Sequence, residues 1–137
     1  MIEINNLTNF VINKKFFSGV AKKVLKGENR ERENLSIAFI VPSEIQKLNK
    51  KYRKKDKPTD VLSFQKTSNF KEEFSEVIIC PEIVRANAKD SKLALKKELA
   101  KVLIHGILHN FGYDHEKSEK EAIKMEGKQE YYLSKVR

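Results

Sequence analysis

All three histidines of this 137-residue chain lie in one short stretch, HGILHNFGYDH, as His105, His109 and His115. Residues four apart share one face of a helix, so the first two imidazoles can reach a single metal ion. Gly112 follows and can end the helix, because glycine adopts the left-handed conformation at little cost. The chain can then turn back and bring His115 to the same ion. The spacing therefore predicts a zinc site.

The number of histidines indicates what kind of zinc site this would be. Three protein ligands leave the fourth tetrahedral position for water, as in catalytic sites. Lone histidines are common on surfaces and in cores, but three at this spacing favour metal binding. Metzincin proteases share the spacing and carry a glutamate after the first histidine as general base. Here that residue is Gly106, so peptide hydrolysis is disfavoured.

A second unusual stretch is KLNKKYRKKDKPTDVLSF, residues 47 to 64, with seven cations and one acid between positions 47 and 57. Charge runs of this kind are usually solvated surface. Lysines also attract phosphates, however, and the arginine guanidinium offers a planar fork for an oxyanion. Beside a metal, Arg53 could stabilise charge on a transferring phosphate. The candidate residues for binding a nucleic acid are Lys47, Lys50, Lys51, Arg53 and Lys54.

The composition predicts one ordered domain over residues 1–137. The chain has 28 Lys plus Arg against 19 Asp plus Glu, a net charge of +9. This excess indicates either a polyanionic partner or a lysine-rich surface, and the charge alone leaves both open. The single cysteine excludes an internal disulfide and suits a reducing compartment. Without a recognisable secretory signal or a long apolar run, we expect a cytoplasmic protein with no membrane partner.

The remaining chain must supply elements that hold these residues. Apolar patterning predicts short strands at residues 2–4, 35–41, 61–64 and 76–80. It predicts helices at residues 10–27, from 43 onward, at 81–89, from about 91 to 110, and from about 118 to the end. The order predicts an α+β fold, with a small mixed sheet of about four strands against about five helices. The zinc site would lie at the end of the long central helix.

In the second helix, Ser43 and Gln46 form a capping-box pattern, and the predicted apolar side is Ile45, Leu48 and Tyr52.

Other residues near these motifs have two interpretations each. Asp60 and Asp114 could orient zinc-bound imidazoles or simply cap turns. Cys80 is expected to be a small buried thiol, with a fourth, structural zinc ligand as the weaker alternative. Met125 could lie under the metal, but a lone methionine on an apolar helix face is usually part of the core.

The two blocks together, KKELAKVLIHGILHNFGYDH and YRKKDKPTDVLSF, closely resemble the YbeY family of bacterial endoribonucleases, the rRNA maturation factors. Weaker agreement through EVIICPEIV and MEGKQEYYL extends the resemblance over most of residues 35–133. The resemblance implies a single-strand-specific metallo-endoribonuclease of rRNA maturation, including the 3′ end of 16S rRNA, and of ribosome assembly or quality control. It further implies one zinc at His105, His109 and His115, a requirement for Arg53, and the ribosome as a partner.

A function of a different class stays open beside this one. The chain could be a non-catalytic ribosome-assembly factor that binds rRNA through its basic segment, with a zinc ion that only stabilises the helix end. For an enzyme, either a metal-activated water or the RNA 2′-hydroxyl could attack the phosphate. The sequence also leaves open which divalent ion is bound.

Overall fold

The structure, a computed structural model, describes residues 1–66 and 73–136. Within them, the strands are β1 Ile2–Asn6, β2 Asn34–Phe39, β3 Val61–Phe64 and β4 Phe74–Ile79. The helices are α1 Lys14–Gly27, α2 Pro42–Arg53, α3 Pro81–Asn87, α4 Leu95–Asn110 and α5 Glu119–Ser134. The predicted α+β fold, with a four-stranded mixed sheet and five helices, is confirmed for this part of the chain.

The sheet has the strand order β1-β2-β4-β3. Strands β1, β2 and β4 run parallel, and β3 pairs antiparallel with β4. Buried residues alternate along the two inner strands, for example Ile37 and Phe39 in β2 and Val77 and Ile79 in β4. This alternation places one face of the sheet against the core. Strand β3 is at the sheet edge next to the cleft described below.

Helix α4 is the centre of the molecule, as its long apolar pattern predicts. It contacts α1, α3 and α5 as well as β3 and β4. Leu103, Ile104, Ile107 and Leu108 are fully buried. A helix buried on several sides is held in position by packing, so the side chains on its remaining face have a rigid support.

The predicted start of α2 is wrong. Strand β2 ends at Phe39, and the helix begins at Pro42 with Val41 as the capping residue, which makes no side-chain cap. Proline suits the first helical position because its fixed φ matches the helix and its missing N–H would have no partner there. Ser43 and Gln46 therefore lie inside the helix and form no capping box.

Tyr52 also departs from its predicted place on the buried side of α2. Ile45 is fully buried, as expected, whereas Tyr52 is 56% exposed. Its ring packs at an angle of 65° against Phe64 of β3, with centroids 5.2 Å apart. The last turn of α2 thus extends beyond the core and presents an aromatic ring to solvent.

Other helix ends agree more closely with their sequence signals. Pro81 begins α3, and Ser118 caps α5 by accepting a hydrogen bond from the Glu121 N–H. Helix α1 begins later than predicted, after Asn13, which caps it. No helix within residues 1–66 and 73–136 combines the length and apolar character that a membrane crossing requires.

Candidate metal centre

An open cleft of about 900 Å³ lies between α4, strand β3 and the last turn of α2. Its lining includes His105, His109 and His115 together with Arg53. These residues come from α2, α4 and the segment after α4, so the fold brings together side chains that are far apart in sequence. The four predicted catalytic residues share one cleft.

The end of α4 explains how the third histidine reaches this cleft. Gly112 has a left-handed φ of +97°. Its N–H donates to the His109 carbonyl, and the Tyr113 N–H donates to the Leu108 carbonyl, which together form a Schellman motif. The motif reverses the chain, so that the ring centroids of His105 and His115 lie 5.3 Å apart. The predicted helix-ending role of Gly112 is thereby confirmed.

These rings fit a zinc ion. Two imidazoles bound to one tetrahedral zinc at about 2.0–2.1 Å have centroids about 5 Å apart, close to the 5.3 Å between His105 and His115. Among the residues described, no three His, Cys, Asp or Glu side chains already have the geometry of a formed metal cage. His109 and His115 are exposed, and exposed side chains rotate quickly. Rotation of these two side chains would therefore direct their ring nitrogens toward a shared ion.

Gln129 of α5 orients the His105 ring. Its Oε1 atom lies 3.0 Å from His105 Nδ1. An amide oxygen can only accept a hydrogen bond, so Nδ1 carries the proton and Nε2 keeps its lone pair. Such a partner fixes the tautomer and orientation of a metal-binding imidazole.

Electrostatics keep His105 in its neutral form. Burial is the largest cause and lowers its pKa; the Gln129 hydrogen bond, the next largest, raises it, and the neighbouring His115 and His109 lower it further, with a net lowering. Neutral imidazole is the form that binds metal. His105 is therefore prepared for coordination at neutral pH.

Gly106 lies where metzincin proteases have their glutamate, and its environment leaves no room for a side chain. A Cβ atom there would lie 2.7 Å from Val77 Cγ1 and 3.0 Å from Ser63 Oγ. The Ser63 hydroxyl donates to the Gly106 carbonyl at 3.1 Å. Position 106 thus faces the sheet and allows α4 to pack closely on it, so the protease base is missing for a structural reason.

The basic residues of α2 divide into two groups. Arg53 lines the cleft, whereas Lys47, Lys50 and Lys51 of the helix and Lys54 just after it are exposed and lie outside its lining. Lys47 pairs with Glu44 at 3.3 Å, and Lys50 pairs with Asp56 at 3.8 Å. Exposed pairs of this kind are weak and screened by salt, so they leave these lysines available to phosphates. RNA contact stays a prediction for Lys47, Lys50, Lys51 and Lys54.

The turn after α2 places Asp60 in the cleft wall. Asn49, only 1% exposed, donates to the Lys57 carbonyl at 2.9 Å and so holds this turn against α2. The Thr59 hydroxyl donates to Asp60 Oδ1 at 3.3 Å. This contact agrees with the turn-cap interpretation of Asp60.

The other doubtful residues have structural explanations. Asp114 Oδ1 accepts a hydrogen bond from the Glu116 N–H at 2.9 Å, as a turn residue would. Met125 is 2% exposed and belongs to the core. Cys80 is fully buried outside the cleft, and burial raises the pKa of its thiol.

Some residues of the site could not be read from the motifs. Lys101 also lines the cleft, and its position one turn before His105 on the same helix face was an available signal. Gln129 and Tyr52 line it as well. Gln129 contacts His105 because α5 packs on α4. A contact of this kind cannot be predicted from a local sequence pattern.

Behind the site, a buried carboxylate holds the segment between His109 and His115. Glu28 Oε1 accepts from the Tyr113 hydroxyl at 2.7 Å, while Oε2 accepts from Lys128 at 3.3 Å and from the Tyr132 hydroxyl. Burial alone would raise the pKa of Glu28, but these hydrogen bonds outweigh it and lower that pKa. Burial and Glu28 together raise the pKa of Tyr113 to about 12.

Comparison with known sequences matches this chain to the family that its two motif blocks resemble. The sequence profile of the family described as Endoribonuclease YbeY matches residues 3–137, and so includes the N-terminal part that carries no motif of its own. An Endoribonuclease YbeY of Thermotoga neapolitana is 43% identical over 75% of this chain and 67% of its own length. The Endoribonuclease YbeY of Persephonella marina is 38% identical over 92% of this chain and 85% of its own.

The fold has a counterpart among solved structures. The solution structure of a protein from Thermotoga maritima superposes with a TM-score of 0.69 at 32% sequence identity. The match covers 99% of this chain and 89% of that protein. The similarity therefore extends over nearly the whole chain.

Proposed function

The chain belongs to the YbeY family of endoribonucleases, and we propose that it cleaves single-stranded RNA at a zinc ion held by His105, His109 and His115. Membership of the family supports an RNA-cleaving hydrolase. The observation that supports the metal site most strongly is that all three histidines line one cleft with Arg53. The separation of the His105 and His115 rings, 5.3 Å, agrees with a shared tetrahedral ion.

When bound, zinc would supply Lewis acidity toward a phosphoryl oxygen and a lowered pKa for a water. The chain's own residues position the substrate around it. The Arg53 guanidinium can donate two hydrogen bonds to one phosphate and stabilise the charge that develops during cleavage. Lys101 adds a second cation to the cleft wall. Gln129 keeps the His105 ring oriented, so that its free nitrogen faces away from α5.

We further propose that the RNA is ribosomal. Cleavage would serve rRNA maturation, including the 3′ end of 16S rRNA, and ribosome assembly or quality control. The protein would then work with the ribosome in the cytoplasm. The net charge of +9 supports a polyanionic partner. The exposed lysines of α2 would add salt-dependent attraction to the phosphate backbone.

The variant His109→Ala tests this proposal against the non-catalytic assembly factor. His109 is exposed, so the apo-protein should keep its fold. An enzyme loses RNA cleavage while it retains RNA binding and its circular dichroism spectrum. Unchanged cleavage in the variant would contradict the proposed site, and a protein that unfolds with loss of metal would support the structural zinc instead. Tyr131→Ala, which changes an exposed residue of α5, serves as the control.

A further inference from the structure

Two aromatic rings in the cleft wall have no part in holding the metal. They are Tyr52, in the last turn of α2, and Phe64, at the end of β3. Phe64 packs on a small hydrophobic cluster that includes Ile45 and Leu62. Because its centroid lies 5.2 Å from that of Tyr52, Phe64 braces the Tyr52 ring from the sheet side.

Tyr52 is 56% exposed, although its position in the helical repeat would place it on the apolar side of α2. Its ring therefore leaves a large apolar surface open at the edge of a cleft, where a flat partner could cover it. Tyr131 of α5 is exposed to nearly the same extent, 55%, but lies outside the cleft lining. The two tyrosines thus differ in place and hardly at all in exposure.

The surroundings of Tyr52 are cationic. The Lys51 ammonium lies 5.1 Å from its ring centroid, and Arg53 lines the same cleft. An exposed lysine over an aromatic face is weakly held, so an incoming base could displace it. The released ammonium would then be free for a phosphate next to that base.

We propose that Tyr52, braced by Phe64, is a stacking platform for one unpaired base of the RNA beside the bond that is cut. The proposal rests on the endoribonuclease function and adds a physical source for the preference for single strands. In a duplex, neighbouring pairs cover both faces of each base, whereas an unpaired base can stack on an aromatic side chain. The cleft of about 900 Å³ has room for a nucleotide beside an ion.

Binding of short single-stranded RNA to the full-length protein tests the platform. Each oligonucleotide carries 2-aminopurine at one position, because the fluorescence of this base is quenched on stacking. The variants are Tyr52→Ala, which removes the ring, Tyr52→Phe, which keeps it, and Tyr131→Ala as the matched control. A duplex of the same sequence is measured in parallel.

The platform predicts that Tyr52→Ala binds the single strand about 5- to 150-fold more weakly. It also predicts that the variant no longer quenches 2-aminopurine at the one position whose base stacks on the tyrosine. Tyr52→Phe and Tyr131→Ala should bind like the wild type, and duplex binding should change little in any variant. Wild-type binding by Tyr52→Ala would overturn the platform, and so would an equal loss in Tyr52→Phe, since the hydroxyl would then carry the contact.

RNA cleavage by the same proteins separates this inference from the function on which it rests. If Tyr52→Ala binds like the wild type while His105→Ala fails to cleave, the platform is wrong and the nuclease stands. If the wild type neither binds nor cleaves single-stranded RNA, both are wrong.

Discussion

Two polar clusters meet at the turn that follows α4, and they differ in how their side chains are partnered. On one side, the Glu28 carboxylate is 8% exposed and accepts hydrogen bonds from two tyrosines and a lysine. On the other side, His109, His115 and Arg53 are exposed around an open cleft. Tyr113 belongs to the first cluster and His115, two residues later, to the second.

The first cluster stabilises the fold, whereas the second contains the residues proposed to bind the metal and the RNA. A buried polar network with every member partnered is rigid, because each group would be costly to leave unpaired. The exposed side chains of His109 and His115 keep their mobility for an ion or a substrate. The Glu28 cluster fixes Tyr113 and hence the start of the segment that carries His115. Variants in the Glu28 cluster should therefore change stability, whereas variants at the cleft should change metal binding or RNA cleavage.

The largest expected effect on stability is that of Glu28→Ala. The change leaves Tyr113, Tyr132 and Lys128 without their shared acceptor, and losing hydrogen bonds to a charged group costs about 1.5–3 kcal/mol. Urea denaturation should show a fall of that size in the free energy of unfolding. Glu44→Ala, which removes the exposed pair with Lys47 and one acid from the first turn of α2, is the control and should have a much smaller effect. Equal stability of the two variants would contradict the supporting role of Glu28.

Gly106→Ala should also destabilise the protein, by about 1–3 kcal/mol, since the added methyl group would be forced against Val77 and Ser63. Gly127→Ala in α5 is the matched control, because nothing lies within 4 Å of a Cβ there. In a helix interior that change should stabilise by about 0.5–1 kcal/mol. Thermal denaturation would measure both, and a stabilising Gly106→Ala would refute the close packing of α4 on the sheet.

Gln129→Ala changes a residue that lines the open cleft. Loss of a hydrogen bond that orients a metal-binding histidine typically weakens metal binding about 10- to 100-fold. Competition with a chelating dye should show this loss for zinc. Glu130→Ala, an exposed change next to it, should bind like the wild type. If Gln129→Ala binds zinc equally well, the hydrogen bond to His105 has no part in the site.

The smallest effect is a pH dependence of stability that comes from Glu28. Its pKa is lower in the folded protein than its ordinary value of 4.5, so its contribution is fully present above that value and lost as the pH falls below it. The gap in unfolding free energy between wild type and Glu28→Gln should therefore narrow in acid. Urea denaturation from about pH 7 to about pH 3 measures it, and a gap that widens in acid would contradict the lowered pKa.

The histidine cluster and the α+β fold could be predicted because their signals are local. The four-residue spacing of His105 and His109 needs only a helix, and Gly112 is suited to the left-handed turn that brings back His115. Alternating apolar residues in the strands and the long apolar pattern of α4 are likewise readable over a few turns or residues.

Features that depend on contacts across the fold were missed or misread. Gln129 reaches His105 across 24 positions of sequence, and the Glu28 cluster joins residues still further apart. The capping-box pattern at Ser43 competed with Pro42, and the fixed φ of proline determined where α2 begins. Tyr52 fits the apolar period of α2, but its ring packs on Phe64 at the edge of an open cleft and stays exposed, so periodicity alone assigned the ring to the wrong environment.

The proposed nuclease requires that the three histidines bind one ion and that RNA cleavage depends on this ion. The most direct test measures metal content by mass spectrometry and cleavage of a single-stranded RNA, on wild-type protein and on His105→Ala. We predict about one zinc per wild-type chain, with both the metal and the cleavage lost in the variant. A wild-type protein that binds no metal, or a His105→Ala variant that cleaves as well as the wild type, would contradict the account.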